Sequence, residues 1–170
     1  MAAKRILLYL RGTFHHGLLF RPSSLQLQAY TDVDWVGDPV DHRSTSSYVV
    51  FLGSTPITWV SKKQCTVSRS STKAEYCSLA SATAELYWIR MVLCDFWIFL
   101  SNTPVLWCDN LSALALASNP VFHARTKHIE VDYHFVHEKV ARHDVAVKFI
   151  STSDQLADIL TKSLSSLGFT

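Results

Sequence analysis

The 170-residue sequence has few of the features that would place it outside ordinary globular domains. It has four cysteines, Cys65, Cys77, Cys94 and Cys108, and no C-x-x-C pair, so the usual zinc and dithiol redox spacings are missing. Scattered and flanked by apolar residues, they read as buried free thiols in a reducing compartment. Charge is sparse: charged residues make up 18% and the net charge is +2, so any basic surface for nucleic acid must be local. The opening Met1-Ala-Ala-Lys-Arg-Ile-Leu-Leu-Tyr-Leu lacks the apolar length and cleavage site of a secretion signal. The most apolar stretch, Leu86 to Leu100, carries Arg90 and Asp95 and is too short to cross a bilayer. There is no internal repeat. A soluble, intracellular, unsecreted protein is expected, cytoplasmic or nuclear.

What is present is a core-forming composition, 48% apolar, in a length suited to one domain. Residues 4–10 read as a helix ending near Gly12, followed by a loop at Arg21-Pro22. Leu25 to Tyr30 alternates apolar and polar and runs on to Trp35, the period of a half-buried strand. Ser47–Leu52 and Ile57–Ser61 read as second and third strands, joined by short turns into an antiparallel meander. The period then changes to helical over 73–98, with Thr72 as N-cap and Glu75 completing a capping box. Val105–Cys108 reads as a short buried strand, and Asn110–Ala117 as a helix stopped at Asn119-Pro120. A helix over about 127–142, a strand at 145–150 and a last helix over Asp154–Ser163 capped by Ser153 complete the chain. The order β-β-β-α-β-α-α-β-α implies an α/β fold with a five-stranded mixed sheet and flanking helices.

Acids at strand ends and helix starts are the residues to examine for chemistry, because hydrolysis of a phosphodiester by two metal ions needs several carboxylates around one point. Asp32 ends the first strand, Glu75 lies in the first turn of the long helix, Asp109 follows the fourth strand and Asp158 lies one turn into the last helix. Strands one and four can be sheet neighbours, which would set Asp32 beside Asp109. Each acid also has a plainer reading: a turn residue at Asp32, a capping box at Glu75, a helix cap at Asp109, a solvated helical acid at Asp158. Asp34, Glu85 and Asp154 are rivals in the same neighbourhoods, and spacing alone does not choose among them.

A family resemblance does choose. Tyr30-Thr-Asp-Val-Asp-Trp-Val-Gly-Asp38, Arg43-Ser-Thr-Ser-Ser-Tyr48, Trp59-Val-Ser-Lys-Lys-Gln64, Ser70-Ser-Thr-Lys-Ala-Glu-Tyr76, Trp107-Cys-Asp-Asn110, Arg125-Thr-Lys-His-Ile-Glu130 and Asp154-Gln-Leu-Ala-Asp-Ile-Leu-Thr-Lys162 resemble, in order, the ribonuclease H domain of copia-type retrotransposon polyproteins. The match covers about residues 4–163. It implies a ribonuclease H-like fold and four metal-binding acids at Asp32, Glu75, Asp109 and Asp158. The Ala-Asp, apolar pair, Thr-Lys pattern selects Asp158 over Asp154.

The resemblance further implies a nuclease that uses two Mg²⁺ ions (or Mn²⁺) to cut the RNA strand of an RNA–DNA hybrid, in the company of a reverse transcriptase and with no membrane or small-molecule cofactor. Residues 1–24 would be the remnant of the segment linking to reverse transcriptase, 25–163 the nuclease domain and 164–170 a truncated tail. Lys73, Ser47 and Ser163 depart from the family's usual acid, glycine and proline, and no reverse transcriptase, integrase or protease motif is present.

Contacts to hybrid 2′-hydroxyls are candidates at Asn110 and Gln155, and phosphate contacts at Lys62, Lys63, Arg69, Lys73, Arg125 and Lys127. The bland alternatives are helix capping for the first two and solvated surface for the rest. His128, inside the Thr-Lys-His-Ile match, could orient water or product phosphate. His134 and His137 sit at i, i+3, but no H-E-x-x-H accompanies them, so a zinc site is not favoured. The tryptophans Trp35, Trp59, Trp88, Trp97 and Trp107 read as core rather than base-stacking platforms. The rival to a nuclease is an inert nucleic-acid-binding or structural remnant of the polyprotein.

Overall fold

A computed structural model describes residues 2–118 and 130–162. In chain order its elements are α1 (Ala2–Thr13), β1 (Leu27–Asp34), β2 (Thr45–Leu52), β3 (Thr55–Lys63), α2 (Ser71–Asp95), β4 (Val105–Cys108), α3 (Leu111–Ser118), α4 (Glu130–Ala141), β5 (Ala146–Phe149), a 3-10 turn (Thr152–Asp154) and α5 (Asp158–Thr161). Sequence order and element type agree with the expectation from periodicity. None of the described helices is long and apolar enough to cross a membrane.

The sheet order is β3-β2-β1-β4-β5. The first three strands form the expected antiparallel meander, and β1 then pairs parallel with β4, and β4 with β5. A parallel neighbour requires a crossover, and α2 supplies the one between the meander and β4. One face of the sheet and α2 close the core, with Leu27, Ala29, Val50 and Leu106 against Tyr76, Leu79, Ala82 and Leu86. Small residues on α2 let it approach closely. There the Thr31 and Ser78 hydroxyls lie 2.8 Å apart and both donate to the Ser47 carbonyl at 3.2 Å, so no buried hydroxyl is left unpaired at this contact. Ser47, one of the departures from the family pattern, thus sits where α2 is pinned to the sheet.

Several local expectations are corrected. The cap of α2 is Ser70, whose hydroxyl accepts from Lys73 N, not Thr72. Glu75 therefore does not complete a capping box; it lies beyond the positions a cap reaches and is buried. The helix stops at Asp95 rather than 98. Trp97 turns left-handed (φ 62°), and Ile98 N donates to Leu93 O at 2.9 Å, which closes the end. The last helix is much shorter than expected: Ser151, not Ser153, caps the 3-10 turn, and Asp158 is the first residue of a one-turn helix.

The tryptophans are not core. Trp97 is 83% exposed, Trp35, Trp59 and Trp88 are also exposed, and Trp107 is half-buried. The error has a physical source: Trp35 follows β1, Trp59 lies on β3, and Trp88 and Trp97 lie in and just beyond the second half of α2, where apolar spacing continues on faces left exposed. Of the thiols only Cys108 is buried; Cys77 is half-buried, and Cys65 and Cys94 are exposed. The helix-stop expectation at Asn119-Pro120 lies outside the described residues.

Candidate active site

The end of the sheet where β1 and β4 finish is built by register. Thr31 pairs with Cys108, so the next residue of each strand, Asp32 and Asp109, emerges at the same edge. The first turns of α2 cross above this edge and bring Glu75, only 7% exposed, to it. Glu75, Cys108 and Asp109 present possible ligand atoms all within 4.8 Å of one another.

The fourth acid arrives from the far end of the sequence by tethering. Gln155 Nε2 donates to Thr31 O at 2.9 Å, Ser47 Oγ to Ala157 O at 3.1 Å, and Ser61 Oγ to Leu160 O at 2.7 Å. These bonds to β1, β2 and β3 lay residues 155–160 across the strand ends, and Asp158 is carried with them. Thr161 Oγ1 then donates to Asp32 Oδ2, Thr152 Oγ1 donates to Asp109 Oδ2 at 3.0 Å, and Lys162 Nζ donates to Asp158 Oδ2 at 2.6 Å.

The electrostatics agree with a single cluster. Burial pushes the Glu75 carboxyl up to about 8, helped by the charges of Asp32, Asp109 and Asp158 and opposed by Lys162. Burial also raises Asp32; the Thr161 hydrogen bond opposes it, Asp158 and Asp109 add to it, and Lys162 opposes it. Four acids that mutually repel in a partly dry site ask for cations. Two of their oxygens, Glu75 Oε2 and Asp158 Oδ1, are buried without a hydrogen-bond partner. A buried carboxylate oxygen with no donor is costly, and a hard divalent cation is the partner that such a donor set suits. The residues present therefore fit a divalent metal.

The rival acids do not join. Asp154 is exposed in the 3-10 turn, and the half-buried Glu85 acts on the Tyr48 hydroxyl. Asp34 folds back over Gly37, where any Cβ would fall 1.8 Å from its Oδ2.

The substrate candidates separate. Gln155 is corrected: it is 5% exposed, and its amide is spent on Thr31 O and, at 3.3 Å, on Ala157 N, so it anchors the segment rather than facing a groove. Lys63 is exposed, and its ammonium pairs with Asp38 and Asp41 on the surface. Asn110 Oδ1 accepts from Ala113 N at 3.0 Å, the capping geometry at α3. Lys73 is half-buried and its charge acts on the Cys77 thiol, away from the acids. Lys62 and Arg69 are exposed. Arg125, Lys127 and His128 lie outside the described residues. His137 stacks on Tyr133 at 5.9 Å, and among the described residues no histidine joins a possible metal group.

Sequence reasoning missed Thr161 and Lys162 as members of the site, although both stand inside the Ala-Asp-Ile-Leu-Thr-Lys stretch, which was the available signal. Thr152 carried no signal.

Over 169 residues, 99% of its length, the chain is 51% identical to the retrovirus-related Pol polyprotein from transposon RE2 of Arabidopsis thaliana. Its homologues include further retrovirus-related Pol polyproteins, among them that of transposon TNT 1-94 of Nicotiana tabacum, 39% identical over 161 residues. The chain spans only 12% of the length of these relatives. No protein-family model matches it. Among solved structures it is similar to LC11-RNase H1 crystallised with an RNA/DNA hybrid, at TM-score 0.57 and 11% identity, covering 79% of this chain and 93% of that one. It is also similar to prototype foamy virus protease–reverse transcriptase, at TM-score 0.52 and 13% identity, covering 89% of this chain and 22% of that one. The chain has the ribonuclease H-like fold.

The Gln155 tether yields a test. Gln155→Ala leaves the Thr31 carbonyl buried without its donor, and the expected loss is about 1–3 kcal/mol of unfolding free energy, measured by urea denaturation. A change near zero would show that residues 155–160 are held by other contacts.

Proposed function

We propose that this chain is a ribonuclease H, an endonuclease that hydrolyses the RNA strand of RNA–DNA hybrids during reverse transcription of a copia-type retrotransposon. The observation that carries the reading is the convergence of Asp32, Glu75, Asp109 and Asp158 from four separate elements, with two buried carboxylate oxygens lacking partners. Its relatives' ancestry and its fold support the same class.

In this reading the four acids bind two divalent cations, Mg²⁺ or Mn²⁺. Such ions, when bound, supply the charge that stabilises the phosphorane-like transition state and the lowered pKa of the attacking water. The chain's own contribution is to hold the acids fixed. Thr161 and Thr152 orient the Asp32 and Asp109 carboxylates by donating to one oxygen of each. The α2 helix, pinned by the Thr31 and Ser78 hydroxyls at the Ser47 carbonyl, keeps Glu75 over the strand ends.

The hybrid would cross the same end of the sheet. Asp32 pairs with Ser47, Ser47 with Ser61 and Ser46 with Lys62, so the exposed Lys62 flanks the acids, and Arg69 precedes the α2 cap nearby. Both suit phosphates and position a duplex without reading its sequence. Reverse transcriptase of the same polyprotein is the expected neighbour, through residues 1–24 ahead of a domain at 25–163 and a tail at 164–170. The place of action would be intracellular, in a virus-like particle or the nucleus.

The test is cleavage of an end-labelled RNA–DNA hybrid by the purified chain with Mg²⁺, Mn²⁺ or EDTA, beside matched duplex RNA and duplex DNA. The expected result is metal-dependent cutting of the hybrid's RNA strand alone. A folded protein that binds hybrid and never cuts it would overturn the reading and favour an inert remnant.

A further inference from the structure

Lys162 is the cation that the four acids already have. Its ammonium lies 2.6 Å from Asp158 Oδ2, and its charge acts on Asp32, Asp109 and Glu75 as well. Local structure puts it there. Lys162 N donates to Asp158 O at 2.9 Å, closing the turn, while the preceding Thr161 hydroxyl donates to Asp32. One turn of chain thus places a hydroxyl on one acid and an ammonium on the next.

The pairing is reversible in kind. The Lys162 side chain is 53% exposed whereas that of Asp158 is 24% exposed, so the head group can exchange with water while the acid stays put. A lone surface pair of this type contributes little. Here the acid belongs to a cluster of like charges, and the Lys162 charge opposes their mutual repulsion. The ammonium holds only one oxygen of Asp158; the other, Oδ1, is buried without a partner.

We infer that Lys162 is a built-in counter-cation of the acid cluster: a positioning residue that fixes Asp158 by one oxygen, stabilises the metal-free site, and competes by charge with the divalent cation so that its affinity is kept low. The inference rests on the reading that these acids hold divalent cations. An approaching divalent ion meets a fixed positive charge a few ångströms away, and the same charge replaces part of the ion's work when it is absent.

The experiment is Mn²⁺ binding to the full chain, followed by calorimetry and by electron paramagnetic resonance, for the unaltered protein, Lys162→Met and Lys162→Arg, with melting temperatures in EDTA. Lys162→Met should bind Mn²⁺ about ten-fold more tightly and melt lower without metal. Lys162→Arg, which keeps the charge, should stay near the unaltered protein in both. Lys162→Gln, shorter and polar, should follow Lys162→Met and covers the case in which Met perturbs folding.

Equal or weaker Mn²⁺ binding by the neutral variants overturns the inference. Unchanged Mn²⁺ binding with weakened hybrid binding would make Lys162 a phosphate contact instead. Failure of every variant, and of the unaltered chain, to bind Mn²⁺ would overturn the metal-site reading itself.

Discussion

Asp109→Asn is expected to abolish hybrid cleavage while leaving the fold and hybrid binding intact. The substitution keeps the shape of the side chain and leaves an oxygen able to accept from Thr152 Oγ1, so the local hydrogen bond at 3.0 Å can persist. It removes one negative charge from the site where a cation must be held beside Glu75. Loss of a group that stabilises transition-state charge typically costs a factor on the order of 10²–10³, and loss of a metal ligand acts through the same charge. The comparison to run is single-turnover cleavage at saturating Mg²⁺ against hybrid binding in EDTA. If Asp109→Asn cleaves like the unaltered chain, the site assignment is wrong.

The second large effect concerns pH and metal together. Glu75 has an ordinary value of 4.5 and is pushed up to about 8 in the fold, by burial first and by its acidic neighbours next. The folded metal-free protein therefore keeps a proton that the unfolded chain releases. Stability is full below about pH 4.5, falls as pH rises through the interval to about 8, and is level above it. The slope is about 1.4 kcal/mol per pH unit for one such group, for a total on the order of a few kcal/mol. Asp32, also raised, acts in the same direction. Asp38, lowered to about 2 by its hydrogen bond with Lys63, acts in the opposite direction: its contribution is present above about pH 3.8 and is lost only as pH falls from there towards 2.

Melting in EDTA should consequently be higher at pH 5.5 than at pH 8, and added Mg²⁺ should raise the melting temperature far more at pH 8, where the Glu75 proton is far more easily displaced by the ion. Glu75→Gln should flatten the EDTA profile and reduce the Mg²⁺ gain. A metal-free profile that is flat from pH 5 to 8 would show that Glu75 is solvated and ionised, contrary to its buried place in the first turns of α2.

Periodicity carried most of the architecture, because strands and helices bury alternate and three-to-four-spaced residues for reasons local to each segment. The meander, the long helix and the parallel β4 were legible in that way. The boundaries failed where local rules compete. Thr72 and Ser70 are both acceptable caps, and Ser70 is chosen by where α2 must start for Ser78 to reach the Thr31 hydroxyl and the Ser47 carbonyl. The tryptophans show the converse limit: apolar spacing reports that a face is apolar, not that another layer covers it, and Trp59 and Trp97 remain exposed.

The site divides along the same line. The sequence by itself determined which residue types could do the chemistry, and the family resemblance chose Asp32, Glu75, Asp109 and Asp158 from among their rivals. It could not determine partnership, because hydrogen bonds between residues 124 or 129 positions apart, as between Gln155 and Thr31 or Thr161 and Asp32, depend on chain segments meeting in space. That Gln155 is a tether, that Lys63 pairs with Asp38 and Asp41, and that Lys162 stands among the acids follow from the folded chain alone. The physical reason is that side-chain charge and burial are set by what the folded chain brings alongside, and no local spacing encodes that neighbour.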